Sequence, residues 1–183
     1  RSPLQIGAEL YGHAGVESDV EIVCLMMETL RVSGMDDVYL DLGHVGIFRA
    51  LARAAGLNEV QEAELFEALQ RKASTEIDTL VGGLGLDDSL SGMLIALAEL
   101  NGDAEVLQRA RLVLADAPAE VAAAIDYVEA VAQQLSQELP DLPVHFNQGR
   151  LAHFRIIRRI GRIPGRLLGI HILHVRQVDV DDA

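Results

Sequence analysis

Hydrophobic and polar residues alternate in three short stretches of the chain, and each alternation predicts a β-strand. These stretches are residues 1–12, 37–42 and about 143–148. In the first stretch, one face of the strand carries only apolar side chains, those of Leu4, Ile6, Ala8 and Leu10. We expect the three strands to be neighbours in one antiparallel sheet.

Between the first two strands the apolar positions recur at helical spacing. Ser18 and Glu21 have the spacing of a capping box, which predicts that a helix begins there. Gly34 is of the residue type that commonly ends a helix. After the second strand, the sequence predicts a turn and a short helix that ends at Gly56.

The longest helical region begins at Asn58, which is followed three residues later by Gln61 and so has a second capping-box pattern. Residues 74–139 continue with helical patterns, and Pro118 stands where a long alanine-rich helix begins. Residues 58–139 should therefore form a mainly helical block beside the sheet.

This order of elements predicts an α+β fold with one antiparallel sheet, flanking helices and a helical insertion. We divide the chain into four parts on this basis. They are a strand–helix–strand–helix core at 1–57, the insertion at 58–139, a return to the core sheet at 140–155 and a basic tail at 156–183.

The charge of the chain is unevenly distributed. The net charge is −13, but residues 1–149 hold 25 acidic and 8 basic residues, while residues 150–183 hold 3 acidic and 7 basic residues. Phosphate contacts require lysine and arginine, so this acidic body argues against nucleic acid as the main partner. Solubility is the simplest role of the acidic surface.

The chain begins at Arg1, without a methionine and in mid-strand, so we expect it to be part of a longer protein. Its one cysteine, Cys24, excludes an internal disulfide and a cysteine-rich zinc site. No signal peptide or apolar run of about 20 residues is visible, so we expect a cytoplasmic protein that does not contact membranes. His171 and His174 share one helical face without a third ligand, and neither a metal site nor a cofactor is predicted.

The segments PLQIGAELYGHAGVESDVEIV and VYLDLGHVGIFRAL resemble the core of the histidyl-tRNA synthetase-like family. That family has a Gln-x-x-x-Glu strand, a helix with an acidic start, and a strand followed by an Asn-His-x-Gly turn. His44 and Gly46 keep this turn, while Gly43 replaces the asparagine. The resemblance extends over roughly residues 1–155 and is densest over 1–55.

The resemblance is greater to non-catalytic relatives, the regulatory subunits of ATP phosphoribosyltransferase, than to the synthetases. It implies a class II synthetase-like antiparallel sheet with flanking helices. It also implies a non-catalytic subunit of this glycosyltransferase, which assembles with the catalytic subunit and is required for the first step of histidine biosynthesis. Free histidine would be the feedback effector, and self-association would use a segment that precedes Arg1 in the family.

The same resemblance gives the polar face of the first strand a chemical role. The synthetases use the residues matching Gln5 and Glu9 around the α-amino group of histidine. Residues four apart in a strand are separated by about 13 Å, and Gly7 between them leaves room for a free amino acid. Arg1 matches a second arginine near the family's nucleotide site, whereas His44 is expected to stabilise a turn. Without the resemblance, this face would be an ordinary solvated one.

Three functions remain open, and departures from the synthetase pattern separate them. Ala152 occupies the position of an arginine that the synthetases need, and cations of this kind stabilise the transition state of adenylate formation. Together with Gly43, this favours a regulatory histidine-binding subunit over the alternative, a catalytic histidyl-tRNA synthetase. The third reading is a helical interaction module without a ligand.

The tail beyond Arg155 lacks the glycine-rich strand of the family. It is either a divergent amphipathic helix or the product of an out-of-frame translation, and the second reading is favoured. Its arginines and Pro164 interrupt any strand pattern. We therefore expect no strand pairing beyond Arg155.

Overall fold

The computed structural model describes residues 10, 12–13, 15–35, 37–147 and 154–158, the last segment for its backbone only. Its elements in chain order are α1 (Val16–Val32), β1 (Val38–Leu42), α2 (Val45–Ala54), α3 (Glu59–Arg71), α4 (Ser74–Gly82), α5 (Asp88–Ala96), β2 (Asn101–Gly102), α6 (Glu105–Val113), α7 (Ala119–Glu138), β3 (Val144–Asn147) and β4 (Phe154–Arg158). Of the predicted first strand, only residues 10 and 12 fall within the described part.

The start of α1 differs from the sequence prediction. The helix begins two residues before Ser18, after Gly15, and no side chain caps it. The Ser18 hydroxyl instead lies 2.5 Å from Nδ1 of His13, so it ties the preceding loop to the helix. The predicted end is confirmed: Gly34 follows the helix with a φ of 73°, a conformation that glycine adopts without steric cost.

The helical character of residues 59–138 agrees with the sequence patterns. Asn58 and Gln61 form the predicted capping box at the start of α3, and Pro118 immediately precedes α7. The two-residue strand β2 is an exception that periodicity could not reveal, because two residues cannot display an alternating pattern.

The four described strands form one mixed sheet in the order β2-β3-β1-β4. Strands β1 and β3 are parallel, with Leu40 opposite Val144, so the expectation of an antiparallel arrangement is wrong for this pair. The long helical connection explains the difference, because parallel strands need a crossover of a dozen or more residues. The β1–β4 and β2–β3 pairs are antiparallel, and the α+β class is confirmed.

Strand β4 contradicts the expectation that pairing ends at Arg155. Its backbone pairs along the whole of β1, and Ile156, Ile157 and Arg158 lie opposite Leu40, Tyr39 and Val38. Two adjacent β-branched isoleucines favour an extended backbone, and this outweighs the flanking arginines. Residues 159–183, including Pro164, lie outside the described part.

One hydrophobic core connects the sheet to the helical block. Leu40, Leu42 and Phe48 are fully buried within it, and the ring of Phe48 contacts that of Phe66 on α3 at a centroid distance of 5.6 Å. Helix α7 contacts both α1 and α2. Among the described residues, no helix is long and apolar enough to cross a membrane.

Candidate functional site

The residues that the sequence assigns to a ligand, Gln5, Glu9 and Arg1, lie outside the described residues, as does Ala152. The structure does describe the elements that come next along the chain, which are the loop at Gly12 and His13 and then α1. It also describes the turn between β1 and α2, which carries His44.

His44 stabilises the start of α2, as the sequence predicts. Its backbone is extended, and Nδ1 accepts a hydrogen bond of 3.0 Å from the Gly46 amide. An acceptor at Nδ1 places the proton of a neutral imidazole on Nε2. Burial lowers the pKa of His44, which keeps the ring neutral and the cap intact.

Gly46 is required by the imidazole cap. A Cβ atom at this position would lie 2.7 Å from both Nδ1 and Cε1 of His44. The imidazole would have to turn away, and the helix would lose its cap.

We predict that Gly46→Ala lowers the free energy of unfolding by about 0–0.5 kcal/mol, because losing the N-cap costs about 1 kcal/mol while alanine returns about 0.5–1 kcal/mol as the better helix former. The smaller cap in His44→Asn leaves space for the methyl group. In that background Gly46→Ala should instead stabilise by about 0.5–1 kcal/mol, because alanine is the better helix former. Denaturant unfolding of the wild type, the two single variants and the double variant measures both effects, and equal effects in the two backgrounds would contradict the proposed clash.

A partly buried hydrogen bond joins α1 to α7 next to this turn. The Tyr127 hydroxyl donates to Oδ2 of Asp19 at 2.9 Å, and the Tyr127 ring contacts the edge of His44 at a centroid distance of 5.7 Å. These three side chains border a recess that is completed by Leu42, Gly43, Val128 and Val131. The recess volume is about 10 Å³, which suits a single water molecule and is too small for an amino acid.

Burial sets the electrostatics of the recess. It raises the pKa of the Asp19 carboxyl, and the hydrogen bond from Tyr127 opposes this shift. Burial also raises the pKa of Tyr127. The hydrogen bond to Asp19 and the negative charges of Asp19 and Glu17 raise it further. The Tyr127 hydroxyl therefore stays protonated and acts as the donor. Sequence reasoning missed this pair because Asp19 resembles an ordinary first-turn acid and Tyr127 lies on an alanine-rich helix.

We predict that Tyr127→Phe destabilises the protein by about 1–3 kcal/mol at pH 7, because it leaves a buried carboxylate without its donor. Because the pKa of Asp19 is raised on folding, its ionisation costs stability as pH rises from the unfolded towards the folded pKa. Removing Tyr127 raises the folded pKa further, so the destabilisation should shrink at acidic pH, where Asp19 is protonated. Unfolding curves between pH 4 and 8 test this, and a pH-independent effect would contradict it.

A second polar group lies on the β3 side of the sheet. Nδ1 of His145 lies 2.9 Å from a carboxylate oxygen of Asp103, and its ring packs edge-on against Tyr39. Asn147, two residues along the strand, is buried with a side-chain oxygen that has no hydrogen-bond partner. Among the described residues, no group of three or more metal-binding side chains lies close enough to hold an ion.

Comparison with known proteins identifies what these elements are similar to. The histidyl-tRNA synthetase family model matches residues 1–158. A protein of Alkalilimnicola ehrlichii named ATP phosphoribosyltransferase regulatory subunit is 54% identical over 151 residues, which cover 82% of this chain and 38% of that protein. The chain thus spans well under half the length of this curated relative.

Two solved structures share the fold. One is an ATP phosphoribosyltransferase regulatory subunit/histidyl-tRNA synthetase from Bacillus halodurans C, with a TM-score of 0.70 at 22% identity. The alignment covers 84% of this chain and 42% of that protein chain. The other is the ATP phosphoribosyl transferase (HisG:HisZ) complex from Thermotoga maritima, with a TM-score of 0.53 at 13% identity. That alignment covers 76% of this chain and 47% of the matched chain of the complex. With the family match over residues 1–158, these likenesses lead to one conclusion: the chain belongs to the histidyl-tRNA synthetase family.

Proposed function

We propose that this chain is part of a regulatory, non-catalytic subunit of ATP phosphoribosyltransferase that serves the first step of histidine biosynthesis. The observation that carries the proposal is the 54% identity over 151 residues to a protein named for that role. The match covers 82% of the chain. Neither the core at 1–57 nor the helical block at 58–139 is that long, so the match extends beyond either part alone.

The effector in this proposal is free histidine, bound by Gln5 and Glu9. Glu9 offers a negative charge to the α-ammonium group, and Gln5 offers both a donor and an acceptor. Arg1 supplies a positive charge at the start of the same predicted strand. The described recess at Asp19 is too small to compete as the amino-acid site, which supports placing the ligand on the strand face.

The proposed partner is the catalytic subunit of the transferase, in a hetero-oligomer. A solved structure with this fold is a complex of ATP phosphoribosyl transferase, which supports the assembly. The first 149 residues carry 25 acidic against 8 basic side chains, and that excess makes a nucleic-acid partner unfavourable.

A catalytic histidyl-tRNA synthetase is the second candidate, because the matching family model carries that description. Adenylate formation needs positive charge where negative charge develops. Ala152 and Gly43 replace an arginine and an asparagine of the synthetase pattern, so the regulatory role is preferred.

The test is reconstitution with the full-length protein and the catalytic subunit from the same organism. We expect the two to co-elute as one complex, the transferase activity to depend on the complex, and histidine to inhibit it. Histidine-dependent charging of tRNA by the full-length protein, without any effect on the transferase, would overturn the regulatory role.

A further inference from the structure

The contact of α7 with the core combines non-directional and directional interactions. Helices α1, α2 and α7 all contribute buried apolar residues to one core, and apolar contact does not by itself fix how one helix is placed along another. The hydrogen bond from Tyr127 to Asp19 depends on both distance and angle. It therefore fixes one point of α7 against α1.

This bond is not the arrangement that packing stability would favour. A buried carboxylate is costly, and apolar residues of similar volume are often neutral or better at such places. The adjoining recess also leaves the packing incomplete at the bond. Its volume matches one water molecule, so a water-bridged arrangement can replace the direct bond without opening a void.

The two residues of this bond, Asp19 and Tyr127, belong to elements that connect to different parts of the molecule. Asp19 lies in the first turn of α1, and the hydrogen bond between Ser18 and His13 fastens that turn to the preceding loop. Tyr127 lies on α7, which is joined to α6 by salt bridges from Arg111 to Asp126 and Glu129. Helix α7 continues after a short loop into β3, which pairs with β1. A shift at the bond would therefore reach both the helical block and the sheet.

We propose that Tyr127 is a positioning residue for the response to the effector. Its hydrogen bond to Asp19 holds α7 at the position from which histidine binding affects the catalytic subunit. This inference rests on the proposed function, since it assigns a residue to the regulation of the same complex. Tyr127 touches neither effector nor substrate in this role, and it acts through Asp19 and α7.

The experiment measures coupling separately from binding, in the full-length protein. Histidine affinity is determined by calorimetry for the isolated protein and for its complex with the catalytic subunit, and inhibition is assayed in the complex. For Tyr127→Phe we expect unchanged affinity in the isolated protein. In the complex we expect about five- to tenfold weaker histidine binding and inhibition, because a lost coupling must appear in both. Activity without histidine should not change.

Four further variants separate positioning from folding. Asp19→Asn keeps an acceptor for the hydroxyl and should behave as wild type, whereas Asp19→Ala should reproduce Tyr127→Phe. Combining Asp19→Ala with Tyr127→Phe should add little, since both remove one bond. Tyr39→Phe removes the same atom from a tyrosine on β1, away from the α1–α7 contact, and should leave inhibition unchanged.

Different failures have different meanings. A wild-type protein that neither binds histidine nor assembles with the catalytic subunit overturns the proposed function and, with it, this role of Tyr127. A wild-type protein that does both, while Tyr127→Phe is inhibited equally well, overturns the positioning role alone. So does an equal loss of affinity in the isolated protein and the complex, because that result marks a purely structural bond.

Discussion

Replacing Glu9 with glutamine in the full-length protein is expected to weaken histidine binding about ten- to a hundredfold. The change removes a charged hydrogen bond to the α-ammonium group, which corresponds to about 1.5–3 kcal/mol. The side chains are nearly isosteric, so thermal stability should barely change. Calorimetry gives the affinity, and the histidine concentration for half-maximal inhibition of the assembled enzyme should rise in parallel. Transferase activity without histidine should persist, because the chemistry belongs to the partner.

The matched control for this variant is Glu21→Gln, which neutralises an exposed carboxylate on α1. It alters the net charge by the same amount and should leave histidine affinity unchanged. Wild-type affinity in Glu9→Gln would mean that Glu9 is an ordinary solvated residue of the strand. Equal losses in both variants would point to a general effect of charge.

Replacing Phe48 with alanine should cost about 3–5 kcal/mol of unfolding free energy, the range for truncating a buried aromatic residue. Phe48 is fully buried on α2 and contacts Phe66 of α3, so the cavity would open between the core and the helical block. We expect hydrogen exchange to accelerate in α2 and α3 together, by about a hundredfold or more, because one apolar core unites them.

Val60→Ala on α3 provides the comparison, since Val60 is 66% exposed. A surface truncation of this kind should change stability by no more than about 0.5 kcal/mol. Should Phe48→Ala accelerate exchange in α2 and leave α3 untouched, residues 58–139 would be an independent unit. That outcome would contradict the single core.

Local signals in the sequence predicted the helices well and the sheet less well. The capping box at Asn58 and the glycine at position 34 involve residues a few positions apart, so their effect on the backbone can be read directly. The direction of β3 relative to β1 depends on the path of the chain through six helices, which periodicity does not encode. The pairing of β4 depended on a backbone partner that is far away in sequence.

The same contrast between local and long-range signals applies to the residues of the candidate site. His44 was predicted as a turn residue because its neighbours identify the turn, and the structure adds the reason that Gly46 follows it. The pair of Asp19 and Tyr127 is separated by 108 positions, and neither residue has a local pattern that points to the other. The assignment of Gln5 and Glu9 came from resemblance and stays a prediction.

The parallel pairing of β1 with β3 also has a consequence for how the chain folds and how its length can vary. The helices between these strands form a closed excursion, which leaves β1 after Leu42, opposite Phe146, and returns to β3 at Val144, opposite Leu40. Closing so long an excursion is slow, so we expect the helical block to form early and the sheet to be completed late. Once closed, the excursion tolerates changes of length, because even a doubling adds only about 0.6 kcal/mol of closure entropy. The sheet can therefore be retained while the exposed connections between these helices are lengthened or shortened, whereas the helices themselves share its core.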